Sequence, residues 1–231
     1  MGIVDEHGLL NGKVAGVDST YLRADASMKS IVRRDTGDGY NAYLARLAND
    51  AGIQEPTAED LRRMDRTRKA KRTSNKHWES PVDGDARIAR MKDGTTRLAH
   101  KAEHVVDMES GAVMHADVLD ATTGDASSIV DSVGKADERL SHVRDDDDDD
   151  APGASSGDEH RPTKHIKEVC GDKGYHKAIT IRELQRRGVR TYIPERRPKG
   201  QRRFTDKGGW FTARAVYANR ARVNRVKGKA L

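Results

Sequence analysis

Sulfur, aromatic carbon and apolar runs are all scarce in this chain. A single cysteine, Cys170, excludes an intramolecular disulfide framework and any cysteine-cluster zinc finger. Beside an apolar strand pattern it reads as a small core residue, with a nucleophilic thiol as the other reading. Aromatics make up only 4% of the residues, which argues against a single-strand reader that stacks bases and for a binder of the duplex backbone with steep salt sensitivity. No stretch approaches the ~20 consecutive apolar residues of a membrane span. Met1 to Lys13 lacks the basic start and apolar centre of a signal peptide, so the expectation is a cytoplasmic protein with no membrane partner and no small-molecule substrate.

What is abundant is charge. Charged residues reach 35%, equal to the hydrophobic fraction, where a soluble domain has about 25% charged. Core material is therefore limited, and 231 residues are expected to form one core carrying long polar insertions. The net +6 is unevenly spread: Arg161 to Leu231 holds 21 Lys and Arg against 5 acids, leaving the first 160 residues acidic. A basic third of this density is the footprint expected of a surface that meets phosphate backbone, or else a solvated basic tail.

Along the chain, Lys13 to Ala24 (KVAGVDSTYLRA) starts as an alternating β-branched strand with Asp18 on it. Asp25 to Asp93 has poor strand signals, weak helical periodicity and eight Lys or Arg between Arg62 and Lys76, and reads as a basic polar insertion over residues 25–93. Thr95 to Asp107 and Ala112 to Leu119 flank a short turn closing on Gly111, a β-hairpin pattern. Gly124 to Leu140 places Ile129, Val130, Val133 and Leu140 on one helical face. Asp145 to Asp150 is a six-residue run of like charge followed by Gly, Pro and Ser, so residues 144–163 are expected to be a disordered acidic linker. His165 to Cys170, Lys177 to Arg187 and Val189 to Pro194 form a strand, helix, strand unit, and Thr212 to Lys227 a last basic helix.

Three strands followed by alternating helix and strand resemble the ribonuclease-H-like fold, an α/β mixed sheet flanked by helices. The segments GVDSTYLRADASMKSIVRRDTGDGY, MKDGTTRLAHKAEHVVDMESGAV, VCGDKGYHK, VRTYIPERR and AVYANRARVNR are similar to stretches of bacterial insertion-sequence DDE transposases and span most of the chain. The most specific is GDKGY behind a short apolar strand, similar to the family's second-aspartate motif. The resemblance implies that the first and fourth strands lie side by side, bringing Asp18 and Asp172 together as catalytic and metal-binding residues. It implies two Mg²⁺ (or Mn²⁺) ions about 4 Å apart, driving in-line cleavage at transposon ends and strand transfer into target DNA. The implied partners are double-stranded DNA, as transposon ends and target, and a second protomer in a homodimer.

Residues expected to meet DNA are Lys173, Tyr175 and His176 after the second Asp, together with Arg196, Arg197, Lys199, Arg202 and Arg203. Tyr175 has a second reading, as a cap on the turn. The family's third acid, a Glu on a helix after the last core strand, has no counterpart, since no Asp or Glu follows Asp206. Glu195 lies ahead of the expected place. The chain thus reads as a single incomplete core over 1–231, clipped at both ends, whose expected activity is impaired or absent. The alternative is a non-enzymatic basic nucleic-acid-binding protein with incidental aspartates. His100 and His104, four apart on a strand pattern, read as solvent-facing rather than as metal ligands. Arg66 to Arg72 is either a phosphate-contacting loop or an import-like cluster.

Overall fold

A computed structural model describes residues 10–69, 73–142, 164–196 and 209–225. The expected acidic linker at 144–163 lies outside the described residues. In chain order the elements are β1 (Val14–Arg23), β2 (Val32–Arg33), α1 (Tyr40–Asp50), α2 (Ala58–Thr67), β3 (Trp78–Glu79), β4 (Arg87–Arg90), β5 (Thr96–Asp107), β6 (Val113–Asp120), α3 (Asp125–Ser141), β7 (Glu168–Gly171), α4 (Ala178–Arg186), β8 (Arg190–Tyr192) and α5 (Gly209–Val223). The fold is mixed α/β, and no helix among the described residues is long and apolar enough to cross a membrane. Two compact units emerge: Met1–Thr20, Ala102–Asp117 and Thr123–Leu231 form one, Tyr21–Lys101 and Val118–Thr122 the other.

The first unit is built on a sheet whose strands run β6, β5, β1, β7, β8. The hairpin read from the sequence is present: the Asp107 amide donates to the Ala112 carbonyl on one side of β5, and the Met108 amide donates to Val14 on the other. β1 and β7 pair in parallel, as do β7 and β8. Parallel strands covered on both faces read as continuous apolar runs, and Ala15, Gly16 and Val17 are accordingly all buried. Helix α3 turns Ile129, Val133, Ala136 and Leu140 into the core, the i, i+4, i+7, i+11 stripe of an amphipathic helix. Gly12 sits at φ +68° with Leu140 against it; an added Cβ would lie 2.4 Å from a Leu140 methyl carbon, so only glycine lets the chain cross here. Gly188, at φ +81°, ends α4 as the sequence predicts.

At the sheet edge, Asn219 of α5 replaces a missing strand. Its side-chain amide donates to the Ile193 carbonyl at 2.8 Å and its side-chain oxygen accepts from the Ile193 amide at 3.1 Å. Asn219 and Ile193 are both fully buried, so this pairing satisfies two backbone groups that water cannot reach.

The second unit corrects the weak periodicity read over residues 25–93. That segment carries two helices, the antiparallel pair β2–β3 and strand β4, which pairs antiparallel with the start of β5. Its core is centred on Trp78, which is 4% exposed and packs 5.6 Å from the Tyr40 ring and 5.4 Å from the Tyr43 ring. Arg33 stacks over both Tyr43 and Trp78. Helix α2 starts with a capping box between Thr57 and Asp60. Arg68, read from the sequence as part of a phosphate-contacting cluster, instead donates to Asp65 and to the Tyr40 hydroxyl. Ala70 to Arg72 of that cluster lie outside the described residues. Asn75 repeats the amide device, pairing with both the N–H and the carbonyl of Ile88.

Candidate functional site

The parallel register of β1 and β7 runs Val14 with Glu168, Ala15 with Val169, Gly16 with Cys170 and Val17 with Gly171. Asp18 is the next residue of β1, and Asp172 follows directly on the end of β7. Two acids more than 150 residues apart in sequence are thereby set side by side where the pairing of β1 with β7 ends, Asp18 within β1 and Asp172 just past the carboxyl end of β7, and both are exposed. In open α/β sheets this is where ligands bind.

Each carboxylate is oriented by a nearby backbone amide, Asp18 along strand β1 and Asp172 within a turn. Asp18 Oδ1 accepts the Ser19 amide at 2.8 Å. Asp172 caps a short 3₁₀ turn, Lys173–Tyr175, its Oδ1 accepting the Gly174 amide at 2.6 Å. Among the described residues the second oxygen of each is left without a hydrogen bond. A third acid, Asp125 at the first turn of α3, accepts the Ser19 hydroxyl at 3.0 Å. A Cβ placed on Gly174 would lie 2.6 Å from Asp125 Oδ2 and 2.7 Å from Asp172 Oδ1, so both oxygens crowd the same point and glycine is required between them. The sequence reading passed over Asp125; its signal was an acid opening a helix directly after the hairpin.

Beneath this rim lies a buried polar knot. Glu103 on β5 is 0% exposed and accepts the hydroxyls of Ser128 at 2.7 Å, Ser132 at 2.6 Å and Tyr175 at 3.2 Å. A buried carboxylate is tolerable only when so satisfied. Burial pushes the Tyr175 phenol far above the ordinary tyrosine range; Glu103 and Asp125 push it the same way and the Ser19 hydroxyl opposes. Tyr175 therefore remains a neutral donor that fixes the turn from below.

This placement corrects two expected DNA contacts. Tyr175 is 1% exposed and the His176 side chain 4%, with His176 Nε2 4.0 Å from Glu195, so neither faces solvent as a phosphate contact must. The turn's polar sequence hid the fact that the strand behind it draws these rings inward. Lys173 and Arg196 are exposed, and Arg196 Nε donates to the Lys173 carbonyl at 3.3 Å, which ties a second cation to the Asp172 turn. Arg197, Lys199, Arg202 and Arg203 lie outside the described residues. Glu195 is bound by Arg220 through two hydrogen bonds of 3.1 and 2.9 Å and is an ion-pair partner rather than a spare acid. Cys170 is buried, its thiol bonded to the Ala15 carbonyl and its pKa raised by burial, which fits the core reading. His100, read as solvent-facing, bonds Asp83 at 2.9 Å and is half-buried, as is His104.

Among the described residues no three His, Cys, Asp or Glu side chains are grouped to hold a metal ion. The Asp18 and Asp172 pair nevertheless has the donor chemistry of a magnesium site. That ion takes oxygen ligands, keeps several waters, and is held by one or two carboxylates plus substrate oxygens. No family model, curated protein or solved structure matches the chain.

Proposed function

We propose that the chain carries the ribonuclease-H-like catalytic core of an insertion-sequence DDE transposase, acting on double-stranded DNA at transposon ends and target. The observation that carries this reading is the register of β1 and β7, which leaves Asp18 and Asp172 adjacent where the pairing of the two strands ends. The strand order β6, β5, β1, β7, β8 supports the same reading, because it puts the acid-bearing strands at the sheet centre.

In this reading Asp18 and Asp172 hold Mg²⁺ or Mn²⁺ through the oxygens that make no hydrogen bond among the described residues. Held there, such ions would supply the charge that an in-line displacement at phosphorus needs on its attacking and leaving oxygens. Glu103 and Tyr175 keep the Asp172 turn from moving, and Gly174 keeps the space between Asp125 and Asp172 open. Lys173 and Arg196 offer charge to the phosphates flanking the scissile bond. Helix α5 carries no Asp or Glu, and Glu195 is held by Arg220, so the third acid of the family has no counterpart among the described residues. We therefore expect duplex and metal binding with weak or absent cleavage, and two protomers on a pair of ends.

The test is duplex binding with magnesium and with a chelator. Binding that strengthens with magnesium in the wild type, and falls to the chelator level in the Asp18→Asn, Asp172→Asn variant, supports the reading. Binding indifferent to both metal and variant favours a non-enzymatic nucleic-acid binder built on the basic C-terminal third.

A further inference from the structure

Helix α5 is apolar on two sides. Its inner face buries Thr212, Ala215, Val216 and Asn219, and Asn219 fixes it to Ile193. Its outer face carries Trp210, Arg214 and Tyr217, spaced four and three residues apart and so on one side of the helix, all of them exposed. Trp210 is 65% exposed, Phe211 beside it 60% and Tyr217 51%. The chain has six Tyr, two Phe and two Trp, ten aromatics in all, and three of them stand in solvent along this one helix. A single exposed ring is ordinary on a protein surface. The inner face already docks the helix, so nothing in the fold calls for three rings outside.

Rings and cations are interleaved on this face. Trp210 and Phe211 meet edge to face, their centroids 5.1 Å apart at 82°. The Arg214 guanidinium stacks 5.6 Å from the Trp210 centroid and that of Arg220 5.2 Å from the Tyr217 centroid. Arg220 also holds Glu195, but α5 itself has three arginines and no Asp or Glu to oppose them. The surrounding stretch from Arg161 to Leu231 has 21 Lys and Arg against 5 acids. Trp210 to Tyr217 covers roughly 10 Å along the helix axis, about three phosphate spacings of a stacked strand.

We propose that the outer face of α5 is a stacking platform for the unpaired bases of a single-stranded nucleic acid. Every base has a flat π-face that an exposed aromatic ring can stack on, and arginines between the rings meet the phosphates that link the bases. The chain-wide scarcity of aromatics argues against base stacking; their placement on α5 argues for it. An acidic peptide would answer the arginines and leave Trp210 and Phe211 in water. A second copy presenting the same face across a two-fold axis would set arginine against arginine. A strand with free bases answers rings and charge together. A duplex hides its base faces within the stack, so this site differs from the duplex contact proposed at Asp18 and Asp172 and does not rest on that reading.

The experiment measures, with the full chain in chelator, the affinity for a labelled oligodeoxythymidylate and for an abasic strand of the same length, which has the phosphates without the bases. The wild type is expected to bind the thymidylate strand about tenfold or more tighter than the abasic one, the effect of at least one stacked base. The Trp210→Ala, Phe211→Ala variant is expected to lose that difference and to melt as the wild type does, since both side chains are exposed. Trp210→Tyr, Phe211→Tyr keeps two rings and is expected to keep most of the difference. The Asp18→Asn, Asp172→Asn variant keeps it in full, so failure here and failure at the aspartates are told apart. Equal affinity of the wild type for the two strands, or an alanine variant that still prefers the thymidylate strand, overturns the proposal. So does a dimer formed without nucleic acid that the alanine variant dissolves, which gives this face to a second copy.

Discussion

Asn219 and Ile193 form a closed pair, side-chain amide to backbone amide, in the fully buried junction between α5 and the end of β8. Removing the side chain strands a backbone N–H and a carbonyl away from water, each costing about 1–3 kcal/mol. Asn219→Ala is expected to lose about 2–3 kcal/mol of stability, read as a lower urea midpoint with an unchanged denaturant slope.

Tyr175 donates to Glu103 inside the first unit, where no DNA can reach it. Tyr175→Phe should cost about 1 kcal/mol of stability and leave duplex affinity unchanged. Glu103→Leu takes the carboxylate acceptor away from Ser128, Ser132 and Tyr175 at once and should cost several times as much. A Tyr175→Phe variant that keeps its stability but binds duplex more weakly would return this side chain to the DNA surface.

Gly174 separates Asp125 from Asp172 at distances a Cβ cannot share. Gly174→Ala must displace one carboxylate. We expect manganese affinity to fall about 10–100-fold, as for other changes just behind a ligand. The global melt should be nearly unmoved, because the turn is at the surface.

His115 on β6 is buried and, among the described residues, neither ring nitrogen has a hydrogen-bond partner. Burial lowers its pKa below the ordinary 6.5; Arg139 and Lys135 act the same way, while Asp117 and Asp131 oppose. The unfolded chain thus takes up this proton more readily than the folded one. The sign follows: the stability His115 confers is present above about 6.5 and is lost as pH falls from there through the lower folded pKa. Melting temperature should drop between about pH 7.5 and 5.5, and His115→Gln should flatten that part of the profile. An equally steep profile in the variant would place the titrating group elsewhere.

Much of the first unit was legible in the sequence because its elements obey one period each. The β5–β6 hairpin alternates around Gly111, and Ile129, Val133 and Leu140 repeat at helical spacing. The acid on β1 was visible for the same reason, and β1 with β7 put it beside Asp172. The second unit was obscured because its core gathers Ile31, Trp78 and Leu98 from separate places in the chain, with half-buried Tyr40 and Tyr43 packed on them and Arg33 stacked over Tyr43 and Trp78, rather than from one aliphatic stripe. Glu103 was invisible as a buried group because a lone acid between Ala102 and His104 looks like a solvent-facing strand position. Its partners, Ser128, Ser132 and Tyr175, come from elements that only the fold brings to it. The burial of Tyr175 and His176 was hidden with it.

The central claim is that Asp18 and Asp172 form one metal-binding pair, and calorimetric titration with manganese or magnesium tests it most directly. The account predicts a saturable heat of binding in the wild type that vanishes in the Asp18→Asn, Asp172→Asn variant while the cooperative melt of the two proteins stays the same. Equal binding by both, or no binding by a wild type that melts cooperatively, would contradict it.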